Sequence, residues 1–312
     1  MNPALDIATT TDIVVPTEKL RCGEPRYDPG GGGINVARAV HLLGGESRAI
    51  FPAGGMSGAM LCDLLKGEDV PHTFVPISGI TRESLAVVEA QTGKQYRFLL
   101  PGPVLSGRDQ ERCLDTIATY ARDTAFLVAS GSLPPGAPDD FYARVAALAR
   151  AGGVPFVLDT SGPPLTAAAD NVFLLKASLR ELEQLAGTSL QDEAAEEGAA
   201  RKVIATRRAQ NLVVSLGPRG ALLADGAGVR RFPAIPVQAI GSVGAGDSMV
   251  AGIVLSLARG LTLMESVRFG MAAGAAALLR PGTELCRRED TERLFGSSIQ
   301  PPGGRRNASL AL

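Results

Sequence analysis

From about Asp109 onward the chain alternates short, β-rich apolar runs with alanine- and leucine-rich stretches of helical period, and that alternation dictates most of what it can fold into. Strand and helix in regular succession build βαβ units, whose crossovers place helices on both faces of a mostly parallel sheet. The strand candidates are Ala125–Ala129, Pro155–Asp159, Val172–Leu175 and Asn211–Leu216. Helix candidates lie between them at Asp139–Ala151, Ser178–Ala186 and Asp192–Arg208. A hairpin over Ala221–Ala224 and Gly228–Phe232 follows, then two helices, Ala245–Arg259 and Leu263–Arg280. Both carry Ala and Gly on several faces, which predicts burial rather than a surface position.

The first hundred residues carry a different signal. Ser84–Ala90 and Gln95–Leu100 are β-rich runs joined by Gln91-Thr92-Gly93-Lys94, a hairpin with glycine at its turn. With Asp12–Val15 and Leu20–Tyr27 they predict a small sheet standing apart from the main one, a lid or a dimer surface, within about 9–28 and 84–100. A single domain spans 1–295 on this reading. Residues 296–312 have no periodic apolar face and are expected to be a disordered tail.

Composition narrows the function classes. Hydrophobic residues make up 45% of the 312, enough for a sizeable core. The 31 basic and 32 acidic residues nearly cancel, and 4% aromatics with no Trp provide neither a phosphate-tracking surface nor base-stacking platforms, which argues against nucleic acid. Cys22, Cys62, Cys113 and Cys286 are far apart, and His41 and His72 have no triad partner, so neither a zinc site nor a disulfide framework is indicated. No apolar run reaches the roughly 18 residues of a membrane span, and no signal pattern follows Met1. The expectation is a cytoplasmic protein.

Two glycine-rich stretches point to chemistry. Asp28-Pro29-Gly30-Gly31-Gly32-Gly33-Ile34-Asn35 opens a helical run, Val36–Leu43. Glycines at a helix entrance let the backbone approach a ligand closely, and Asn35 offers a donor and an acceptor, a pairing that suits a polyhydroxylated molecule. The second stretch is GSVGAGDSMVAG, Gly241–Gly252, nearly the phosphate-cradling G-x-x-x-x-G-K-[ST] with Asp247 in the lysine's place. A helix start holds an anion through its unpaired N–H groups, so the lysine is dispensable there. The task left for Asp247 is to accept a proton from an attacking hydroxyl. An aspartate at a helix start is also an ordinary N-cap, and the stretch by itself leaves both readings open.

Taken together these stretches resemble the ribokinase-like (PfkB) family of sugar kinases, over nearly the whole chain from Asn2 to about Arg293. The likeness rests on Asn2-Pro3-Ala4-Leu5-Asp6, KLRC at Lys19–Cys22, PGGGGINVARA, FPAGG at Phe51–Gly55, QYRF at Gln95–Phe98, SGSLPPG at Ser130–Gly136, VVSLGPRGAL at Val213–Leu222 and SVGAGDSMVAG. KLRC with GGGGIN is similar to the phosphofructokinase branch. The resemblance implies a three-layer α/β fold with a small β-sheet lid, and ATP-dependent phosphorylation of the 1-hydroxyl of fructose 6-phosphate. Phosphorylation of fructose 1-phosphate or tagatose 6-phosphate, and sugar-phosphate binding without turnover, remain as alternatives.

Residue by residue, the resemblance makes Asp247 the base and Gly244, Ala245 and Gly246 the anion hole. Asp6, Gly31, Gly32 and Asn35 fall at sugar-binding positions, with Lys19, Arg21, Arg82 and Ser132 near the substrate phosphate or lid. Lys176, Ser178, Ser215, Leu216, Gly217, Pro218, Gly220 and Ser242 fall on the ATP side. It further implies Mg2+ held through water by Glu181, K+ held by backbone carbonyls at Gly241, Val243, Ala277, Arg280, Gly282 and Glu284, and a homodimer formed through the lid. Two departures stand out. The family's Asn-x-x-Glu reads Ser178-Leu179-Arg180-Glu181 here, which predicts a weaker magnesium site. The family's first buried strand has no counterpart before Asn2, which predicts two unpaired neighbouring strands and is explained by a start assigned too far downstream.

Overall fold

The computed structural model describes residues 1–167, 172–241 and 243–299. The first half runs β1 (Ala4–Thr11), β2 (Arg26–Gly30), α1 (Gly32–Leu42), β3 (Ala49–Ala53), α2 (Gly55–Gly67), β4 (His72–Pro76), β5 (Arg82–Glu89), β6 (Gln95–Leu99) and α3 (Gly107–Ala121). Then come β7 (Leu127–Ser130), α4 (Phe141–Ala151), β8 (Phe156–Asp159), α5 (Pro163–Ala167), β9 (Val172–Ser178), α6 (Leu179–Ala186), α7 (Glu193–Ala205) and β10 (Ala209–Ser215). The last are β11 (Ala221–Asp225), β12 (Gly228–Phe232), α8 (Ala245–Ala258), α9 (Leu263–Leu278) and α10 (Arg288–Ile299).

Among the described residues the main sheet has the order β12-β11-β10-β9-β8-β7, with β7 to β10 parallel and the β11–β12 hairpin antiparallel. Its inner strands β8 to β11 are largely apolar because both faces are covered. Along β10, Leu212 and Val214 enter a core shared with α3, α4, α6 and α7, while Val213 enters a second core shared with α1, α8 and α9. This is the expected three-layer α/β architecture. The expected burial of the last two long helices is also observed: α8 is buried continuously from Ser248 to Ser256. Its Gly252 lies so close to α9 that a Cβ there would sit 2.9 Å from the Gly270 Cα.

A separate two-stranded parallel sheet is formed by β3 and β4. Among the described residues β3 and β7 are each outermost in their sheets, and α1 packs across both.

The lid sheet has the order β2-β1-β5-β6. Its second pair lies where the sequence put it, but the first pair is displaced from Asp12–Val15 and Leu20–Tyr27 to Ala4–Thr11 and Arg26–Gly30. Pro16, Pro25 and a left-handed Thr17 (φ 68) interrupt the intervening stretch, whereas β1 pairs with β5 along its full length. The expected tail also begins later than Gly296. Helix α10 continues to Ile299, with Phe295 edge-on to Phe269 at 5.3 Å and the Ser297 hydroxyl donating to the Leu294 carbonyl. Residues 300–312 of that tail lie outside the described ones.

Candidate active site

Helix α8 follows β12, the edge strand of the main sheet, and its N-cap is Gly244 in the left-handed region (φ 73), with no side chain capping the first N–H groups. A Cβ at Gly244 would collide with Leu285, so glycine is required by both conformation and space. Asp247 is therefore the third residue inside the helix, not its N-cap. Its carboxyl turns away from its own backbone: Asn35 Nδ2 donates to Oδ2 at 3.0 Å and the Ser130 hydroxyl to Oδ1 at 3.3 Å. The cap alternative is thereby removed. Burial pushes the Asp247 carboxyl up to about 6, the Asp159 carboxylate adds to the rise, and Asn35, Lys176 and Ser130 oppose it. A buried carboxyl that titrates near neutrality, beside uncapped helix N–H groups, is suited to taking a proton from a hydroxyl next to a bound anion.

The sugar side is built on the lid base and the start of α1. Asp6 on β1 lies opposite Asp28 on β2 and Ser84 on β5, and burial raises its carboxyl to about 6 against the pull of Arg82 and Arg97. Gly31 caps α1 at φ 107, and a Cβ on Gly32 would sit 2.4 Å from the Ser130 hydroxyl, so the α1 start lies directly against the end of β7. Arg82 donates to the Asn2 carbonyl at 3.2 Å. Ser132 accepts from Asn2 Nδ2 at 3.3 Å, and it is Ser130, two residues earlier, that touches Asp247. Lys19 and Arg21 are exposed on the connection between β1 and β2, away from these contacts.

The other side is built on strand ends. Lys176, buried on β9, donates to Asp159 Oδ1 at 3.2 Å at the end of β8. Its ammonium also lies 3.0 Å from where a Cβ on Gly246 would be. Burial alone would lower the Lys176 pKa, but the carboxylates of Asp159, Glu181 and Asp247 raise it, so it stays a cation. Ser178 and Glu181 close a capping box at the start of α6: the Ser178 hydroxyl accepts from Glu181 N at 3.3 Å, and Glu181 Oε2 accepts from Ser178 N at 2.6 Å. Glu181 thus has one carboxylate oxygen committed to the Ser178 backbone.

The Ser215 hydroxyl donates to the Ala177 carbonyl at 3.3 Å, and Leu216, Gly217, Pro218 and Gly220 form the tight turn between β10 and β11. Arg219 fastens that turn to the buried Glu196 of α7 at 2.6 Å. Gly241 packs against the Arg280 carbonyl, and the Ile240 N–H donates to the Leu278 carbonyl at 2.7 Å. The structure thus brings the Ile240 and Gly241 backbone beside Leu278–Gly282. Ser242 lies outside the described residues. No group of three or more His, Cys, Asp or Glu side chains gathers at metal-ligand spacing among the described residues.

The pfkB family carbohydrate kinase model matches residues 1–290. The chain belongs to that family. Over 301 residues it is 55% identical to the ATP-dependent 6-phosphofructokinase isozyme 2 of Mycobacterium tuberculosis, covering 96% of this chain and 89% of the relative. The crystal structure of phosphofructokinase-2 from Escherichia coli in complex with potassium superposes with a TM-score of 0.92 at 40% identity, covering 96% of this chain and 97% of that one. The same Escherichia coli enzyme in complex with fructose 6-phosphate gives a TM-score of 0.89 at 39% identity, with the same coverage.

Within this PfkB framework three contributing residues escaped the sequence reading. Ser130 and Asp159 are the last residues of β7 and β8, where ligands of parallel sheets collect, and the strand assignments already ended at or beside them. Arg97 stands inside the QYRF stretch, and its proximity to Asp6 follows only from the pairing of β5 with β6.

Proposed function

We propose that this chain transfers the γ-phosphoryl group of ATP to the 1-hydroxyl of fructose 6-phosphate, giving fructose 1,6-bisphosphate. The observation that carries this reading is Asp247: a buried carboxyl held by Asn35 and Ser130 at an uncapped helix start, with Lys176 across from it. Asn35 and Ser130 each take one carboxyl oxygen and fix the group's orientation, leaving lone pairs to receive the hydroxyl proton. The N–H groups at Ala245 and Gly246 face the transferring group, and Lys176 supplies a compact positive charge. Asp6 is placed to accept from the sugar hydroxyls, with Arg82 and Arg97 supplying cations for its phosphate. A magnesium ion bound with the nucleotide supplies charge neutralisation at the phosphates. Glu181 would hold it through water, and the carboxylates of Asp159, Glu181 and Asp247 around Lys176 leave a negative charge that suits a divalent cation. The carbonyls beside Gly241, Val243, Ala277 and Gly282 are the candidate potassium ligands.

Residues 1–295 form a single kinase domain in this reading. The enzyme is cytoplasmic, and no described helix is long and apolar enough to cross a membrane. A second copy of the chain covers the lid. Its outward row, Tyr27, Ile7, Leu85 and Phe98, runs across all the lid strands on the face opposite Asp6, and Phe98 is 52% exposed.

A coupled ADP-release assay across fructose 6-phosphate, fructose 1-phosphate and tagatose 6-phosphate tests the assignment. The expected result is the highest kcat/KM with fructose 6-phosphate. Preference for either of the others reassigns the acceptor, and binding without ADP release at saturating substrate makes the protein a binder.

A further inference from the structure

The connection between α9 and α10 lies between two functional surfaces. On one side the Gly241 backbone packs on its Arg280 carbonyl, Leu285 fills the space beside Gly244, and the Cys286 N–H donates to the Ser248 hydroxyl at 3.4 Å. The same connection therefore braces the turn that opens α8. On the other side it meets lid strand β2. Arg26 Nη1 pairs with Glu284 Oε1 at 2.7 Å, Arg26 Nη2 donates to the Thr283 hydroxyl at 3.3 Å, and Arg26 Nε pairs with Asp28 Oδ2 at 2.9 Å. The buried Thr283 hydroxyl donates to the same Asp28 oxygen. Asp28 is in turn opposite Asp6 in the β1–β2 register, and buried Arg38 approaches its other oxygen at 3.9 Å while donating to the Pro29 carbonyl at 2.9 Å.

These contacts tie lid strand β2, whose Asp28 stands opposite the sugar-facing Asp6, to the connection that braces the start of α8. We infer that Arg26 and Thr283 couple the two substrate sites: a sugar phosphate that fixes the lid strand also orders residues 279–286, and so tightens nucleotide binding. Arg26 is a positioning residue in this scheme and touches neither substrate. The physical basis is that Thr283 and Asp28 are buried and hydrogen-bonded to each other across the junction, so β2 cannot shift without leaving polar atoms unpaired or carrying the connection along. Arg26, 40% exposed at its side chain, adds a charge pair from the solvent side of that junction.

The inference rests on the sugar-phosphate kinase reading for its ligands, and its test separates the two. Affinity for a non-hydrolysable ATP analogue with magnesium is measured calorimetrically, with and without saturating fructose 6-phosphate, in the parent, Arg26→Gln and Thr283→Val. The parent is expected to bind the nucleotide at least about 5-fold more tightly with the sugar present, the lower range of site-to-site coupling. In both variants that ratio falls towards one, while kcat for Arg26→Gln stays within about twofold of the parent; the double change Arg26→Glu, Glu284→Arg restores the ratio. A parent ratio of one, or a parental ratio in both single variants, overturns the coupling. Hydrogen exchange on the free protein reads the junction independently of any sugar. Amides of 279–286 are expected to exchange faster in Arg26→Gln, and unchanged exchange also overturns the proposal. Absence of ADP release by the parent instead counts against the kinase reading, whatever the exchange result.

Discussion

Asp247 is the residue at which local sequence rules and tertiary structure part company. By propensity it is a helix cap; by contact it is a carboxyl held from two sides by Asn35 and Ser130, more than a hundred residues away in sequence. Asp247→Asn keeps size and both neighbours but cannot accept the proton, so turnover should fall by about 10²–10⁴-fold with KM for the sugar little changed. Steady-state kinetics decide it, and comparable turnover in the variant removes the base assignment. The pH profile is a second check. Asp247 and Asp6 are each raised to about 6 and must both be ionised to work. Log kcat/KM should therefore fall below pH about 6 with a slope approaching two, and Asp6→Asn should reduce that slope to one. The stability sign is fixed by the same shifts. The folded protein holds these protons more tightly than the unfolded chain, so both carboxyls withdraw stability as pH rises from 3.8 to about 6. Denaturant titrations should show Asp247→Asn gaining on the parent across that window. Asp159 was legible only once strand ends were treated as sites, because it stands in no motif stretch, whereas Ser130 opens SGSLPPG and it is Ser132 of that stretch to which the resemblance gave a role.

At the scale of elements, periodicity reported the α/β layers well because each buried strand and helix is long and apolar enough to signal alone. It failed at the lid, where β1 owes its position to pairing with both β2 and β5, a context that residues 4–11 do not display by themselves. The start of α6 is the element on which a departure from the family motif turns. Ser178 there is both a helix cap and the replacement for an expected asparagine, and its capping box with Glu181 keeps the acidic side chain turned towards the β9 end. Asparagine caps a helix about as well as serine and reaches further, so Ser178→Asn should leave thermal stability nearly unchanged. The magnesium concentration for half-maximal activity should drop by roughly tenfold, as expected for a residue that orients a metal-bound water. A magnesium titration no different from the parent's would show that the serine is not what weakens the site.

For the whole molecule, α1 packs across the main sheet and the β3–β4 pair, while the lid sheet shares no strand with either among the described residues. A small sheet needs a covered face. The inner face carries Asp6, Asp28 and Ser84 and looks towards the sugar site; near the base, the outer face rests on α2, where the Ser57 hydroxyl donates to Glu83 at 2.8 Å. Farther out, Tyr27, Leu85 and Phe98 are 37%, 36% and 52% exposed, an apolar row without cover in one copy of the chain. A second copy would cover it and hold the lid strands over both sites at once, which joins assembly to substrate binding. Stable interfaces bury about 1,200–2,000 Å² in total, so a charge in the middle of the row should not be tolerated. Leu85→Asp and Phe98→Asp are therefore expected to lower the mass measured by light scattering from that of a dimer to that of a monomer. Sugar KM should rise with that loss, because the lid strands lose their support, while kcat at saturation falls less. A parent that is monomeric at micromolar concentration, or variants that keep the parent's mass, would place the apolar row outside any self-association.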